Sequence, residues 1–194
     1  MRLVLASASP RRSELLRAAG QTFDVRASDV AEDLPAGISP EDGAVLLAER
    51  KARAVAAELA GTDAIVLGAD TIVTIESSLL GKPADADEAR SMLRRLSASR
   101  HAVVTGVCAV RVRDGAALRA CERTFVTMRA IAPAEIEAYV ASREWEGKAG
   151  GYAIQETADR FVVRLEEGGF DNVVGLPVAL VLGLLARLGA AAPA

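Results

Sequence analysis

The chain has 194 residues, of which 51% are hydrophobic and 25% charged, and its formal net charge is −3. That length suits one domain, or one domain with two lobes, and supports a core without disulfides. The acidic balance argues against the basic face of a nucleic-acid binder, while a phosphate pocket needs only local positive charge.

Residues 3–6 form a short apolar run suited to a buried strand. Ser9-Pro10 then supplies an N-cap and an N1 proline, and Leu15, Leu16 and Ala19 continue at helical spacing until Gly20. A strand is expected over 22–26 and a polar loop over 29–40. The helix over 40–59 is marked by Val45, Ala48, Ala52, Val55 and Leu59 at steps of three and four. Residues 64–67 read as a buried strand ending in Gly68-Ala69-Asp70-Thr71, with a further strand at 72–75. Gly81-Lys82-Pro83 is a loop and 85–96 a helix. Two strands, 103–112 and 117–128, flank Asp114-Gly115, a strong hairpin signal. A helix follows at 133–141, a glycine-rich loop at 147–151, a strand at 160–165, a loop at 168–173 and an apolar helix at 176–188. Helices and strands alternating about a central hairpin give an α/β fold with a mixed sheet flanked by helices.

Cys108 and Cys121 lack metal-site spacing and fall on neighbouring strands, where buried thiols are common. The single histidine, His101, excludes a multi-histidine metal site. The apolar run after Arg2 is far shorter than the roughly 7–15 residues of a signal peptide. The apolar stretch 176–188 falls short of the roughly 20 residues that span a bilayer. A cytoplasmic protein, associated with neither membrane nor nucleic acid, is the expectation.

Ser7, Ser9, Arg11 and Arg12 cluster where the first strand turns into the first helix. A helix N-terminus favours phosphate, and an arginine fork adds bidentate charge. Capping accounts for the serines equally well. Asp70 ends an apolar strand in this reading, where an aspartate serves as a base, as a ligand for a hard metal, or as a turn cap. Lys51 shares a helix row with Leu47 and Val55, so its stem can pack while its ammonium reaches a cleft, or it is a solvated lysine. Gly81-Lys82-Pro83 is not a P-loop, and Glu32 sits in a polar loop where a carboxylate is unremarkable.

The order of these signals is more specific than any one of them. Ser7-Ala8-Ser9-Pro10-Arg11-Arg12, Ala48-Glu49-Arg50-Lys51-Ala52, Gly68-Ala69-Asp70-Thr71 and Gly81-Lys82-Pro83 occur in register. They are followed by Thr105-Gly106-Val107, Lys148-Ala149-Gly150-Gly151-Tyr152-Ala153-Ile154-Gln155 and Asn172-Val173-Val174-Gly175-Leu176-Pro177. Over nearly the whole chain this pattern resembles the Maf family of nucleoside triphosphate pyrophosphatases, in its dTTP/UTP branch.

The resemblance implies one domain over 1–194, elongated, with a cleft between two lobes, and a homodimer. It implies hydrolysis of a nucleoside triphosphate to the monophosphate and pyrophosphate, with Mg²⁺ or Mn²⁺. It places the catalytic base on Asp70, base selection on Arg12, Thr71 and Gln155, and phosphate contacts on Ser9, Arg11, Lys51, Lys82 and Lys148. The metal falls to Glu32 and Asp70. Glu156 departs from the family pattern, standing where glycine usually follows the glutamine. Two other readings accompany the family: a nucleotide-binding regulator of septum formation with little turnover, and a pyrophosphatase for 7-methyl-GTP or other modified nucleotides.

Overall fold

Two strands and a helix near the N-terminus set the frame of the computed structural model, which describes residues 1–76 and 78–190. Strand β1 (Arg2–Ala6) leads through Pro10 into helix α1 (Pro10–Ala18), and the edge strand β2 (Asp24–Val25) follows. Next come α2 (Pro40–Glu58), β3 (Ala64–Ile75), β4 (Ser78–Leu80), α3 (Ala86–Leu96), and the hairpin of β5 (Arg100–Arg111) and β6 (Ala117–Met128). The chain ends in α4 (Pro133–Ser142), two 3₁₀ turns, β7 (Val162–Glu166), α5 (Phe170–Val174) and α6 (Val178–Ala190).

The strands form one seven-stranded sheet in the order β2-β1-β3-β5-β6-β7, with β4 paired to β3. β1 runs parallel to both β2 and β3, while β4 and β7 are antiparallel to β3 and β6. The mixed α/β architecture expected from the alternation of elements is therefore present. No helix among the described residues is long and apolar enough to cross a membrane.

The chain groups into two compact units. The first comprises 1–70, 105–122 and 175–194, and its sheet is buried on both faces. Leu5, Ile65, Leu67, Ala69, Val107 and Ala109 pack with Leu16 of α1 and Val181, Leu184 and Leu188 of α6. The alternate residues Val4, Ala6, Val66, Cys108 and Val110 pack with Ala48, Ala52 and Val55 of α2. Because a pleated strand sends successive side chains to opposite faces, burial on both faces reads as a continuous apolar run. Cys108 is buried as expected, whereas Cys121 is exposed on β6.

Two of the expected boundaries are corrected. The strand expected to end near Leu67 runs without a break from Ala64 to Ile75, so Asp70 lies within β3 and not at its end. Gly68 looks like a turn signal, but it serves close packing. A Cβ there would lie 2.1 Å from the Ala48 carbonyl oxygen and 2.8 Å from the Ala52 amide of α2. The loop expected over 168–173 gives way from Phe170 to α5, which is too short to show helical periodicity. It is pinned by the Asn172 amide, whose Nδ2 donates to the Val103 carbonyl at 3.1 Å and to Thr124 Oγ1 at 2.8 Å.

The second unit, 71–104 with 123–174, holds α3 and α4. Ala89, Met92, Leu93 and Leu96 make up the buried face of α3, and Arg90 on that helix pairs with Glu137 of α4 at 2.7 Å. Tyr139 of α4 meets Phe161 edge-on, with centroids 5.8 Å apart.

The approach of α2 to the sheet gives a direct test. Gly68→Ala would drive a methyl into the helix backbone and should destabilise by about 1–3 kcal/mol. Thermal unfolding would register this as a fall of about 2–4 °C per kcal/mol. Gly183→Ala on α6, where a Cβ meets nothing within 4 Å, should leave the melting temperature unchanged or raise it. Equal effects at the two positions would contradict the packing.

Candidate active site

The alternation along β3 that turns Val66 and Gly68 toward α2 also turns Asp70 that way. On α2, Lys51 lies three residues after Ala48 and four before Val55, and it shares their buried face. The two side chains meet. Lys51 Nζ donates to Asp70 Oδ1 at 2.5 Å and to Glu32 Oε1 at 2.7 Å. The Lys51 and Asp70 side chains are each 11% exposed, against 44% for Glu32, which comes from the loop before α2. Lys51 is therefore no solvated surface lysine, and the expected row with Leu47 and Val55 is the buried one.

The β1–α1 turn adds positive charge. Ser7 is buried at the end of β1, and its Oγ accepts the Ser9 amide N–H at 3.2 Å and Arg12 Nη1–H at 3.1 Å. Arg12 Nε donates to the Gly175 carbonyl at 2.9 Å, which fixes the plane of the guanidinium. Ser9 holds the N-cap position but its side chain makes no capping hydrogen bond. Ser7, not Ser9, is thus the hydroxyl that organises the turn. Burial holds the Arg12 guanidinium below its ordinary range, with Asp70 opposing, Arg11 reinforcing and Glu32 again opposing. Two arginines and two carboxylates thus act on one another electrostatically, with Lys51 bridging the carboxylates.

This arrangement suits a divalent cation. Asp70 Oδ1 and Glu32 Oε1 are brought together on one ammonium, Lys51 Nζ, so two carboxylates stand side by side. Mg²⁺ and Mn²⁺ take hard oxygen donors of this kind, with substrate phosphate and water completing the shell. No group of three or more His, Cys, Asp or Glu suited to a metal assembles among the described residues. The carboxylates of this pair are donors of the kind such a shell would use.

The second unit carries the remaining expected residues. Thr71 follows Asp70 on β3 and is half-buried, and Lys82 is exposed. The loops bearing Lys82 and Lys148 are tied by a 2.9 Å hydrogen bond from the Gly150 N–H to the Gly81 carbonyl. Gly150 has φ 72°, a conformation that favours glycine, and a Cβ there would also press on the Val73 side chain at 3.1 Å. Lys148 Nζ donates to the Glu144 carbonyl and lies 3.4 Å from Glu156 Oε2. Gln155 is half-buried, and its Nε2 donates to Glu156 Oε1 at 3.2 Å.

Two tyrosines anchor this stretch. Tyr139 Oη accepts the Ala153 N–H at 3.1 Å. The Tyr152 hydroxyl lies 2.9 Å from His101 Nε2, the rings meeting edge-on. Burial pushes the Tyr152 phenol well above its ordinary range, so it stays neutral. Burial also pushes His101 down to about 4, and its Nδ1 has no hydrogen-bond partner among the described residues.

A family model described as Maf-like protein matches residues 2–188. The chain belongs to the Maf family. Among its curated relatives, a dTTP/UTP pyrophosphatase of Pelotomaculum thermopropionicum is 44% identical over 187 residues, 96% of each chain. One of the same name from Anaeromyxobacter dehalogenans is 46% identical over 190 residues, 97% of this chain and 94% of the relative. A Bacillus cereus relative of that name is 46% identical over 178 residues, 92% of this chain and 91% of its own length.

Within this Maf chain, Ser9, Arg11, Arg12, Glu32, Lys51 and Asp70 share the first unit, and Thr71, Lys82, Lys148 and Gln155 the second. The acceptor role of Ser7, the Gly175 carbonyl, and the anchoring roles of His101, Tyr139 and Tyr152 are structural additions. Nothing local in the sequence marks a serine as the acceptor for an arginine five residues on, or a carbonyl 163 residues away as its second partner.

Two measurements follow from this geometry. Lys51→Met leaves a buried carboxylate without its ammonium, and breaking buried pairs costs several kcal/mol. With Glu32 half-exposed, about 2–3 kcal/mol should be lost at neutral pH. In a thermal double-mutant cycle, Asp70→Asn should cost less on the Lys51→Met background than alone. Strict additivity would mean the pair is not coupled. The second concerns acid. His101 titrates near 6.5 unfolded and about 4 folded. Between these values the unfolded chain binds more protons, so stability is full above pH 6.5 and falls as pH drops toward 4. A loss of up to about 3 kcal/mol is available across that window. His101→Gln should flatten that part of the stability–pH curve, and an unaltered slope would place the acid sensitivity elsewhere.

Proposed function

We propose that this chain hydrolyses nucleoside triphosphates, dTTP and UTP foremost, to the monophosphate and pyrophosphate. The observation that carries the reading is the Lys51-bridged pair of Asp70 and Glu32, with Arg11 and Arg12 in electrostatic reach. A triphosphate needs positive charge to dock, and its hydrolysis needs an oriented acceptor for a water proton. Both are supplied from rigid elements, the arginines by α1 and Asp70 by β3. The substrate names come from the relatives.

In the proposed step, a water oxygen forms a bond to the α-phosphorus in line with the bridging oxygen. The bond to that bridging oxygen breaks, and pyrophosphate leaves. Asp70 takes the proton lost by the water. Lys51 fixes the orientation of the Asp70 carboxylate through Oδ1, leaving Oδ2 for the proton. Arg11 and Arg12 balance the charge of the phosphates, the Arg12 plane being set by Ser7 and Gly175. Pyrophosphatase activity of this class goes with a divalent cation, and Glu32 and Asp70 would hold Mg²⁺ or Mn²⁺, which neutralises phosphate charge and acidifies a bound water. Ser9, Lys82 and Lys148 are assigned to phosphate contacts, and Arg12, Thr71 and Gln155 to base selection. A Gln155 amide offers both a donor and an acceptor to a pyrimidine edge. The working form is proposed to be a cytoplasmic homodimer in which residues 1–194 act as one catalytic domain.

Asp70→Asn decides the assignment. The amide keeps the size but cannot take the proton, so turnover of UTP with Mg²⁺ or Mn²⁺ should fall by about 10²–10⁴-fold. Nucleotide binding measured by calorimetry should persist. The wild type should release monophosphate and pyrophosphate. Near-normal turnover by a folded variant, or diphosphate and orthophosphate as first products, would overturn the reading.

A further inference from the structure

The residue after Gln155 is a carboxylate, and its contacts have a consequence for the base that Gln155 accepts. Glu156 Oε1 receives Gln155 Nε2–H at 3.2 Å, while Glu156 Oε2 lies 3.4 Å from Lys148 Nζ. Lys148 is itself fixed by the Glu144 carbonyl. The Glu144 carboxylate in turn accepts the Thr157 N–H at 3.0 Å and its hydroxyl at 2.7 Å. The backbone joins in, with the Glu156 N–H donating to the Ala153 carbonyl at 3.1 Å. Glu156 is thus held from both sides and meets Gln155 with an oxygen.

A carboxylate can only accept, whereas a glutamine amide has a donating and an accepting end. One N–H of the Gln155 amide must therefore turn toward Glu156, which fixes the sense of the amide and leaves its carbonyl Oε1 as the acceptor for a ligand. We propose that Glu156 is a positioning residue that locks the Gln155 amide with its acceptor outward, selecting bases with a ring N–H and rejecting those with a ring nitrogen lone pair. Uracil and thymine carry N3–H between two carbonyls. Cytosine presents an N3 lone pair instead, which meets the Gln155 oxygen acceptor to acceptor. A freely rotating glutamine would serve either pyrimidine by flipping. The lock removes that choice, and leaving a buried polar group unmatched is how a site rejects a near isostere. Guanine has an N1–H and is not excluded by this device. The inference rests on the assignment of base reading to Gln155.

The test uses kcat/KM of the full chain for UTP, CTP and GTP in the wild type, Glu156→Ala, Glu156→Gln and Gln155→Ala, with thermal unfolding to confirm folding. Glu156→Gln is nearly isosteric and can present either end to Gln155, so it keeps the experiment decisive if the alanine variant is unstable. In both Glu156 variants the UTP-to-CTP preference should fall about 10-fold or more, the scale of one mismatched hydrogen bond. The UTP-to-GTP preference should stay within about 2-fold, which a general loosening of the loop would not allow. An unchanged UTP-to-CTP preference in folded Glu156 variants, with Gln155→Ala abolishing it, would overturn the lock and leave Gln155 as the reader. Equal losses on all three nucleotides in Gln155→Ala would overturn the base reading itself, and the lock with it. A wild type without preference for UTP over CTP would do the same.

Discussion

Helix α2 lies so close to β3 and β5 that neither Gly68 nor Gly106 has room for a side chain. A Cβ on Gly106 would sit 2.3 Å from the carbonyl carbon of Ala44, and one on Gly68 would sit 2.1 Å from the Ala48 oxygen. Small residues on the helix, Ala44, Ala48 and Ala52, complete the close approach. This depth brings the Lys51 stem down to the sheet, so that its ammonium reaches Asp70 while the methylenes stay packed. A larger residue at either glycine would lift the helix and separate the charges. The electrostatics of the first unit therefore depend on a steric condition set by hydrogen atoms in place of side chains.

Within that frame each charge has a different degree of constraint. Asp70 is held by a strand in mid-sheet, Lys51 by a helix turn, and Arg12 by two hydrogen bonds that set the plane of its guanidinium. Burial strengthens each interaction by removing water, and it makes an unmatched charge costly. The lysine between two carboxylates resolves this for the Asp70–Lys51–Glu32 group, where each charge has an opposite one in contact.

Much of this was legible in the chain. The helix over 40–59, the hairpin at Asp114-Gly115 and the terminal apolar helix follow from periodicity and turn chemistry, and the structure has them within a few residues. The row of Leu47, Lys51 and Val55 was readable as a helix face, though only tertiary packing makes it the buried one. The strand runs on past Gly68, and a glycine required by a neighbouring backbone looks, in sequence, like one that ends a strand. α5 was hidden by its brevity, and its anchor, Asn172, bonds to residues 69 and 48 positions away. The cluster of Ser7, Ser9, Arg11 and Arg12 was visible, but not which serine carries the arginine. Hydrogen bonds that link distant segments leave no periodic trace in a sequence.

The three groups joined at Lys51 differ in what carries them. Asp70 and Lys51 sit on a strand and a helix whose positions are fixed by the core, while Glu32 extends from the irregular segment between β2 and α2 and is 44% exposed. A substitution near Asp70 or Lys51 disturbs the core packing and the ion pair together. The segment around Glu32 can change in length or composition without moving the sheet. Inherited variation can thus adjust the reach of one carboxylate while the other, Asp70, stays where the fold puts it.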